Sequence, residues 1–537
     1  MIPNCFVTRV QPPQSAAVLP QSPSIADPKP HPVVLMARWA RSPRWLLGIA
    51  ALSVSGLGPV VWPEAAIANK FPTYCQQTTA AIAQKEQLRK AAIAGNKEAQ
   101  KKYEVLLKQH GDRLRQCRQQ GWPREQAIWI RLYPCDARPG VLEAVLDRIV
   151  DRGYNQVYLE SFYSGKVLLP ANKNPTPWPS VLAGSGNDNM DLLARAIQKG
   201  QQRGLRVHSW VFGLNFGANY VRRPDRQSTL ARNGLGQTSL TANVQGGLSV
   251  DFGQYNPDEV FVDPYSAQAR QDYAVMLGAI AQRKPASVLM DYIRYPRGYG
   301  AASVASKVQD LWVYGEASQQ ALLNRAQNSS GAALLQQYLS QGRLKPEDFQ
   351  TTQLSGDRNP LWQGIAPVMN VKQISSGQQV GQIQDELWRL SVAHAAQGVV
   401  DFVNDAIAVN RQHGLRSGVV FFPEGNQRVG QGFDSRLQLW DRFSSSPEWH
   451  PMAYGVCGNT GCIMQQIKRV LDNAPPGIQV KPVLAGIWQR PTSNRPSLED
   501  QMQVLQYMAP QLNSVSHFAF SWQEPGSDRD RKACVIR

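Results

Sequence analysis

The chain has 537 residues, of which 42% are hydrophobic and 18% are charged. This composition excludes a disordered protein and supplies enough apolar side chains for a large core with appendages. Lys and Arg number 57 against 40 Asp and Glu, giving a formal net charge of +17. Such a basic protein would be drawn to anionic envelope polymers or lipid surfaces, but no basic stripe with interleaved aromatics indicates nucleic acid.

The first 68 residues divide into two segments. Residues 1–35 are rich in Pro, Ser and Gln without any period, which predicts a disordered or over-called N-terminus. Residues 36–68 contain three arginines, an apolar run and Ala-Ile-Ala before Asn69, as in a secretory signal peptide. We therefore expect an exported protein, periplasmic or extracellular. The alternative is an uncleaved segment that tethers the protein to a membrane, because residues 45–62 are about long enough to span one.

The cysteines fit an oxidising compartment. Seven are present, and with Cys5 in the first segment six remain, an even number. Residues 73–120 have helical periodicity broken near residue 95, midway between Cys75 and Cys117, which predicts a disulfide-linked helical hairpin in the region 69–121. The hairpin is read as a structural clip, or alternatively as a docking arm. The other predicted pairs are Cys135 with Cys534 and Cys457 with Cys462.

From residue 122 to 537 the pattern alternates between strands and helices. Helical stretches at 140–152, 190–202, 268–282 and 498–512 separate short apolar segments, several through RGY, RGL or HGL turns. This alternation predicts an α/β fold, a (β/α)8 TIM barrel whose site lies at the C-terminal ends of the strands. The eight predicted strands lie near 127–133, 156–160, 206–212, 287–291, 416–422, 449–454, 480–487 and 516–522.

Two long insertions enlarge the predicted site face. One covers about 297–381, after the fourth strand and before a helix near 383–412, and a segment of that length forms a subdomain or a lid. The other, 213–264, is rich in Gly and Asn and predicts a broad loop beside the site.

Carboxylates, arginines and aromatics occur at the predicted strand ends. In SVLMDYIRYP the fourth strand ends on Asp291, and in VVFFPEGN the fifth strand leads to Glu424. Glycoside cleavage needs two carboxyl groups, so we predict Asp291 and Glu424 as the catalytic pair, with Glu160 and then Glu524 in reserve. The alternatives are an ion-paired structural Asp291 and a turn-capping Glu424. Predicted substrate-binding residues are Arg131, His208, Trp210, Arg294, Tyr454, Trp488, Trp522 and Glu524, the tryptophans being sugar platforms or simple packing.

Other chemistries lack their motifs. The histidines at 208, 450 and 517 form no HxH pair and have no carboxylate at ligand spacing, so we predict no metal site. The GSGNDN segment lacks the third glycine of a dinucleotide fingerprint, and no GxSxG elbow occurs. No cofactor is expected.

Four segments carry a resemblance to a known family. They are DLLARAIQKGQQRGLRVHSWV, FVDPYSAQARQDYAVMLGAIA, VLMDYIRYP and HPMAYG, in this order across most of 127–524. The sequence resembles the bacterial glycosyl-hydrolase-like family 10 proteins, which are common in cyanobacteria. The resemblance implies a barrel with carbohydrate hydrolase activity, on a glycan of the cell envelope such as peptidoglycan. Members often carry a second Asp after the first at the fourth strand; here Tyr292 stands there, which gives Glu424 or Glu160 more weight.

Two functions remain open from the sequence. The first is an exported glycoside hydrolase acting on an envelope or extracellular polysaccharide. The second is a non-catalytic glycan-binding or scaffold protein on the same barrel, because a fold alone does not establish activity.

Overall fold

A computed structural model describes residues 74–244, 258–352, 359–366, 377–443, 446–455 and 457–534. The predicted signal peptide and the segment before it lie outside the described residues. The core of the molecule is a barrel of eight strands. They are β1 (Glu125–Ile130), β2 (Gln156–Tyr163), β3 (Arg206–Phe212), β4 (Val288–Asp291), β5 (Ser417–Phe421), β6 (Glu448–Ala453), β7 (Val483–Ala485) and β8 (Ser514–Phe518).

The eight barrel strands form a closed, parallel sheet. Ala127 of β1 pairs with Gln156 of β2 on one side and with Ser516 of β8 on the other. The remaining strands pair in chain order from β2 to β8. Most of their residues are buried because side chains fill the barrel interior and helices cover the outside. The predicted (β/α)8 barrel is confirmed.

Helices connect the strands, and side-chain caps fix where several of them begin. Asp191, Ser266, Asn459 and Ser497 each accept a backbone N–H in the first turn. The connecting helices span Val141–Asp151, Leu192–Gln201, Ala267–Ala281, Gly377–Gln412, Thr460–Asn473 and Leu498–Met508. Two strand predictions were too long. Residues 479–485 form two short strands, Gln479–Val480 and β7, and β8 ends at Phe518, so Trp522 lies on the following helix, Phe520–Gln523.

The long insertion after β4 contains helices of its own. They span Glu316–Leu323, Ser329–Gln341 and Pro346–Thr352. Its strand Val304–Ala305 pairs antiparallel with Gly432–Asp434 of the loop after β5. The Ser318 amide donates to the Asp263 carboxylate at 2.8 Å, which joins the insertion to the loop after β3. The insertion is therefore fastened to both neighbouring loops.

An antiparallel helical hairpin precedes the barrel, as predicted. It consists of α1 (Thr79–Ile93) and α2 (Lys97–Gln120), and the predicted Cys75–Cys117 disulfide joins its open end. The disulfides Cys135–Cys534 and Cys457–Cys462 are also present, as predicted. None of the helices in the described ranges is long and apolar enough to cross a membrane.

Buried ionic contacts attach the hairpin to the barrel. The Asp147 carboxylate, on the helix after β1, accepts from the Tyr103 hydroxyl and from Arg203 Nε, both at 2.8 Å, and from Arg89 Nη1 at 3.2 Å. Lys85 pairs with Asp151 at 2.5 Å. These side chains are almost fully buried. The contacts favour the structural clip over a free docking arm.

Buried histidines predict how stability changes with pH. Burial lowers the pKa of His208, His394 and His517 to about 3, against about 6.5 in an unfolded chain. Below about pH 6.5 the unfolded chain binds protons that the folded protein does not, so stability is lost as the pH falls. We expect His517→Gln to reduce that pH dependence by about one proton, measured by urea unfolding between about pH 7 and pH 5. An unchanged slope would contradict a neutral buried His517.

Candidate active site

A cleft of about 620 Å³ lies at the C-terminal ends of the barrel strands. Its floor includes Trp129 and Trp210, which are buried and pack edge to face with ring centroids 4.9 Å apart. Acidic, basic and aromatic side chains surround this floor. The lining residues are Trp129, Arg131, Glu160, Ser164, Trp210, Phe212, Asp258, Glu259, Asp291, Tyr292, Arg294, Val420, Phe422, Met452, Tyr454, Phe518, Trp522 and Lys532.

Asp291 ends β4 and is only 7% exposed, yet it lines the cleft. Its Oδ2 accepts from the Trp210 indole Nε1 at 3.2 Å, across from the neighbouring strand β3. Its Oδ1 accepts from the backbone amide of Tyr292 at 2.7 Å. Two donors of fixed position therefore orient the carboxylate.

The backbone turns sharply just after this carboxylate. Tyr292 has φ +51°, a left-handed backbone conformation. Residues other than glycine adopt it rarely and at a cost of about 1–3 kcal/mol. The turn directs the Tyr292 amide onto Asp291 and places the Tyr292 ring 4.7 Å from the Arg294 guanidinium. Strain at a carboxylate in a cleft is typical of a functional site.

A second buried acid, Glu259, was not predicted from the sequence. It is 7% exposed, lines the cleft, and its Oε1 accepts from the Tyr292 hydroxyl at 3.3 Å. The Val260 amide donates to Asn215 Oδ1 at 3.0 Å, which holds this part of the loop against the residues after β3. The adjacent Asp258 also lines the cleft. Both acids belong to the predicted broad loop rather than to a strand end. The pattern of polar residues at strand ends therefore does not predict them.

Glu160 of β2 is a third acid in the cleft, and it is 1% exposed. Arg131 holds it with two hydrogen bonds: Nε donates to Oε2, and Nη2 donates to Oε1 at 3.0 Å. Burial raises the pKa of Glu160, and the Arg131 charge opposes that rise. Such a pair fixes the geometry of both groups and leaves little net charge on this side of the cleft.

Two further predicted contacts lie at the cleft rim. Tyr454 directly follows β6, and its carbonyl accepts from Arg495 Nε at 2.9 Å. The Arg495 guanidinium also lies 5.5 Å from the ring centroid of Trp522. The structure thus gathers seven predicted residues in one cleft, namely Arg131, Glu160, Trp210, Asp291, Arg294, Tyr454 and Trp522. Their roles stay predictions.

Glu424, predicted as the second catalytic acid, is not among the lining residues. A turn in which the Gly425 amide donates to the Phe422 carbonyl at 2.9 Å carries it away from the strand end. Its carboxylate accepts from Gln466 Nε2 at 3.3 Å and lies 3.7 Å from Arg436 Nη2. The predicted pair of Asp291 with Glu424 is therefore not brought together within the lining of the cleft.

Two predicted substrate contacts also lie away from the lining. His208 faces inward two residues before Trp210, one layer deeper in the barrel, and its Nδ1 lies 2.7 Å from Ser287 Oγ. Trp488 follows β7 but turns back, and its indole donates to the Tyr154 hydroxyl at 3.0 Å. Both side chains are buried, so both are core residues.

Glu524 likewise points elsewhere. It accepts from Arg148 at 3.1 Å and from Arg152 at 2.8 Å, at the helix that follows β1. Within the described ranges, no group of three or more His, Cys, Asp or Glu side chains could hold a metal ion.

The geometry defines a (β/α)8 barrel whose C-terminal face holds a cleft with three buried carboxylates, Glu160, Glu259 and Asp291. Their surroundings differ. Glu160 is paired with an arginine, Glu259 accepts from a tyrosine hydroxyl, and Asp291 accepts from an indole N–H and a backbone amide. Carboxyl groups in unlike environments can hold different protonation states, which general acid and base chemistry requires.

No family model matches the chain, and no curated protein matches it. It is similar to the PgaB (BpsB) glycoside hydrolase domain from Bordetella bronchiseptica, at 14% identity and TM-score 0.42, covering 76% of this chain and 98% of that one. It is also similar to a GH20 exo beta-N-acetylglucosaminidase from Vibrio harveyi in complex with N-acetylglucosamine, at 10% identity and TM-score 0.36, covering 74% and 50%. A GH18 chitinase from Pseudoalteromonas aurantia matches at 10% identity and TM-score 0.32, covering 76% and 98%.

Proposed function

We propose that this protein is an exported glycoside hydrolase that cleaves a cell-envelope or extracellular polysaccharide, peptidoglycan glycan strands being one candidate. The observation that carries the proposal is the placement of two buried carboxylates around one tyrosine. The Tyr292 amide donates to Asp291, and the Tyr292 hydroxyl donates to Glu259. Hydrolysis of a glycosidic bond requires two such acids facing one cleft.

The remaining lining supports a sugar substrate. Aromatic rings such as Trp522, Tyr454 and Phe422 suit the C–H faces of a pyranose, and Arg131 and Arg294 offer donors to its hydroxyls. The ordered motifs from residue 191 to 455 support membership of the glycosyl-hydrolase-like family 10 group. In this proposal Asp291, which accepts two hydrogen bonds, is the ionised group that attacks or activates water. Glu259 is the proton donor, and Glu160 is its alternative.

We expect Glu259→Gln to lower kcat for release of reducing ends by about 10²–10⁴-fold, because an amide cannot donate the proton that the leaving oxygen needs. The parent and the variant are assayed on purified peptidoglycan and a panel of polysaccharides. Glu98→Gln, on the exposed side of α2, is the matched control and should retain activity.

Two further variants distinguish the competing assignments of the second acid. Loss of activity in Glu160→Gln with an active Glu259→Gln would transfer the proton donor to Glu160. Loss in Glu424→Gln alone would restore the pair predicted from the sequence. A parent that binds glycans but cleaves none would contradict hydrolysis and favour a binding protein.

A further inference from the structure

One wall of the cleft is built by the last helix of the described chain. This helix, Pro525–Lys532, is fixed to the loop after β1 by the Cys135–Cys534 disulfide. The buried Arg531 strengthens the attachment, donating from Nε to Asp136 at 2.8 Å and from Nη2 to the carbonyl of Arg131 at 2.6 Å. The position of this wall is therefore rigid.

Lys532 is the residue that this wall presents to the cleft. It is exposed, it lines the cleft, and it makes no ion pair with a carboxylate among the described residues. A neighbouring cation of the lining, Arg131, which follows β1, is already paired with the buried Glu160. The positive charge of Lys532 is therefore not compensated by a carboxylate of the described residues.

On the β4 side of the cleft the acidic lining residues outnumber the basic ones. Asp258, Glu259 and Asp291 lie there, on β4 and the loop after β3, with Arg294 beside them. A substrate with an anionic substituent would enter such a site in one orientation, with that substituent beside Lys532 and away from the acids. Trp522 lines the same cleft, so a sugar ring stacked on it would share that cleft with Lys532.

We propose that Lys532 binds a carboxylate of the substrate, so that the cleft takes an acidic glycan. This inference rests on the proposed function, because it names the substrate class of the same site. Two sources share the required chemistry: the lactyl carboxylate of a muramyl sugar and the C6 carboxylate of a uronic acid. A neutral glycan lacks the group that would pair with the lysine.

The test is equilibrium binding by calorimetry, which requires no cleavage. The probes are a tetrasaccharide of alternating N-acetylglucosamine and N-acetylmuramic acid, tetragalacturonate, and neutral chitotetraose. Lys532→Ala should weaken binding of an acidic probe by about three- to tenfold while leaving chitotetraose unchanged. Lys532→Arg should retain the affinity, and the parent's preference for the acidic probe should shrink as salt is added.

Lys173→Ala is the matched control, because it removes one exposed positive charge outside the cleft lining. Whichever acidic probe shows the Lys532-dependent affinity identifies the source of the carboxylate. Equal losses for acidic and neutral probes, no loss at all, or no binding of either acidic probe would overturn the inference.

The outcomes separate this inference from the proposed function. If an acidic probe binds in a Lys532-dependent way but is not hydrolysed, the hydrolase proposal is contradicted and the proposal of an acidic ligand stands. If the protein hydrolyses glycans but neither prefers acidic ones nor depends on Lys532 to bind them, the hydrolase proposal stands and the proposal of an acidic substrate is overturned.

Discussion

Replacing Asp291 with asparagine is expected to lower kcat for glycan hydrolysis by about 10³-fold or more. The substitution keeps the shape of the side chain, and its carbonyl oxygen can still accept one of the two hydrogen bonds that Asp291 receives from Trp210 and Tyr292. What it removes is the negative charge that, in the proposed reaction, attacks the sugar or activates water. The measurement is release of reducing ends under substrate saturation, beside calorimetric binding of the same glycan.

Binding distinguishes loss of chemistry from loss of fold. Asp291→Asn should bind substrate about as tightly as the parent, because the aromatic and arginine contacts of the cleft are unchanged. Asp112→Asn, on the exposed face of α2, serves as a charge-matched control that should stay active. Full activity in Asp291→Asn would exclude this carboxylate from the reaction.

The sequence predicted the position of Asp291 but not that of Glu259, the acid proposed as its partner, for a physical reason. A carboxylate that ends an apolar strand of a parallel barrel has only the cleft to face, so a local pattern is enough to find it. Glu259 reaches the cleft through a loop that Asn215 and Tyr292 hold in place, and those contacts are between residues distant in sequence. For Glu424 the local pattern is not enough. The strand is predicted where it occurs, but the turn after it directs the Glu424 side chain away from the cleft lining.

Asp147→Ala is expected to lower the free energy of unfolding by about 3–5 kcal/mol. The aspartate is 1% exposed and accepts from Tyr103, Arg203 and Arg89. Removing it leaves buried arginine charge without its partner, which costs more than the ion pair itself contributes. Urea unfolding followed by tryptophan fluorescence measures the change.

The control for this prediction is Asp112→Ala. Asp112 also contacts two cations, Lys108 at 2.8 Å and Arg115 at 3.0 Å, but its side chain is 43% exposed to water. Its removal should leave the unfolding curve nearly unchanged because exposed ion pairs contribute little. If both substitutions had equally small effects, the hairpin would not be attached through Asp147.

The barrel and hairpin were predictable because their signals are local or pairwise. Apolar strands, capped helices and paired cysteines each leave a pattern in a short segment or at a defined spacing. How the hairpin sits on the barrel left no such pattern. Lys85, Arg89 and Tyr103 resemble ordinary polar residues of a surface helix, and only the packing of α1 and α2 against the helix after β1 shows that they are buried.

The wall formed by helix Pro525–Lys532 has a consequence for how the protein is made. A ribosome completes all eight strands before it reaches this helix, and the disulfide that fixes the helix joins cysteines 399 residues apart. The native partner of Cys135 is therefore synthesised only after all eight strands. A chain in which Cys135 and Cys534 are not joined therefore lacks the bond that fixes Lys532 at the cleft.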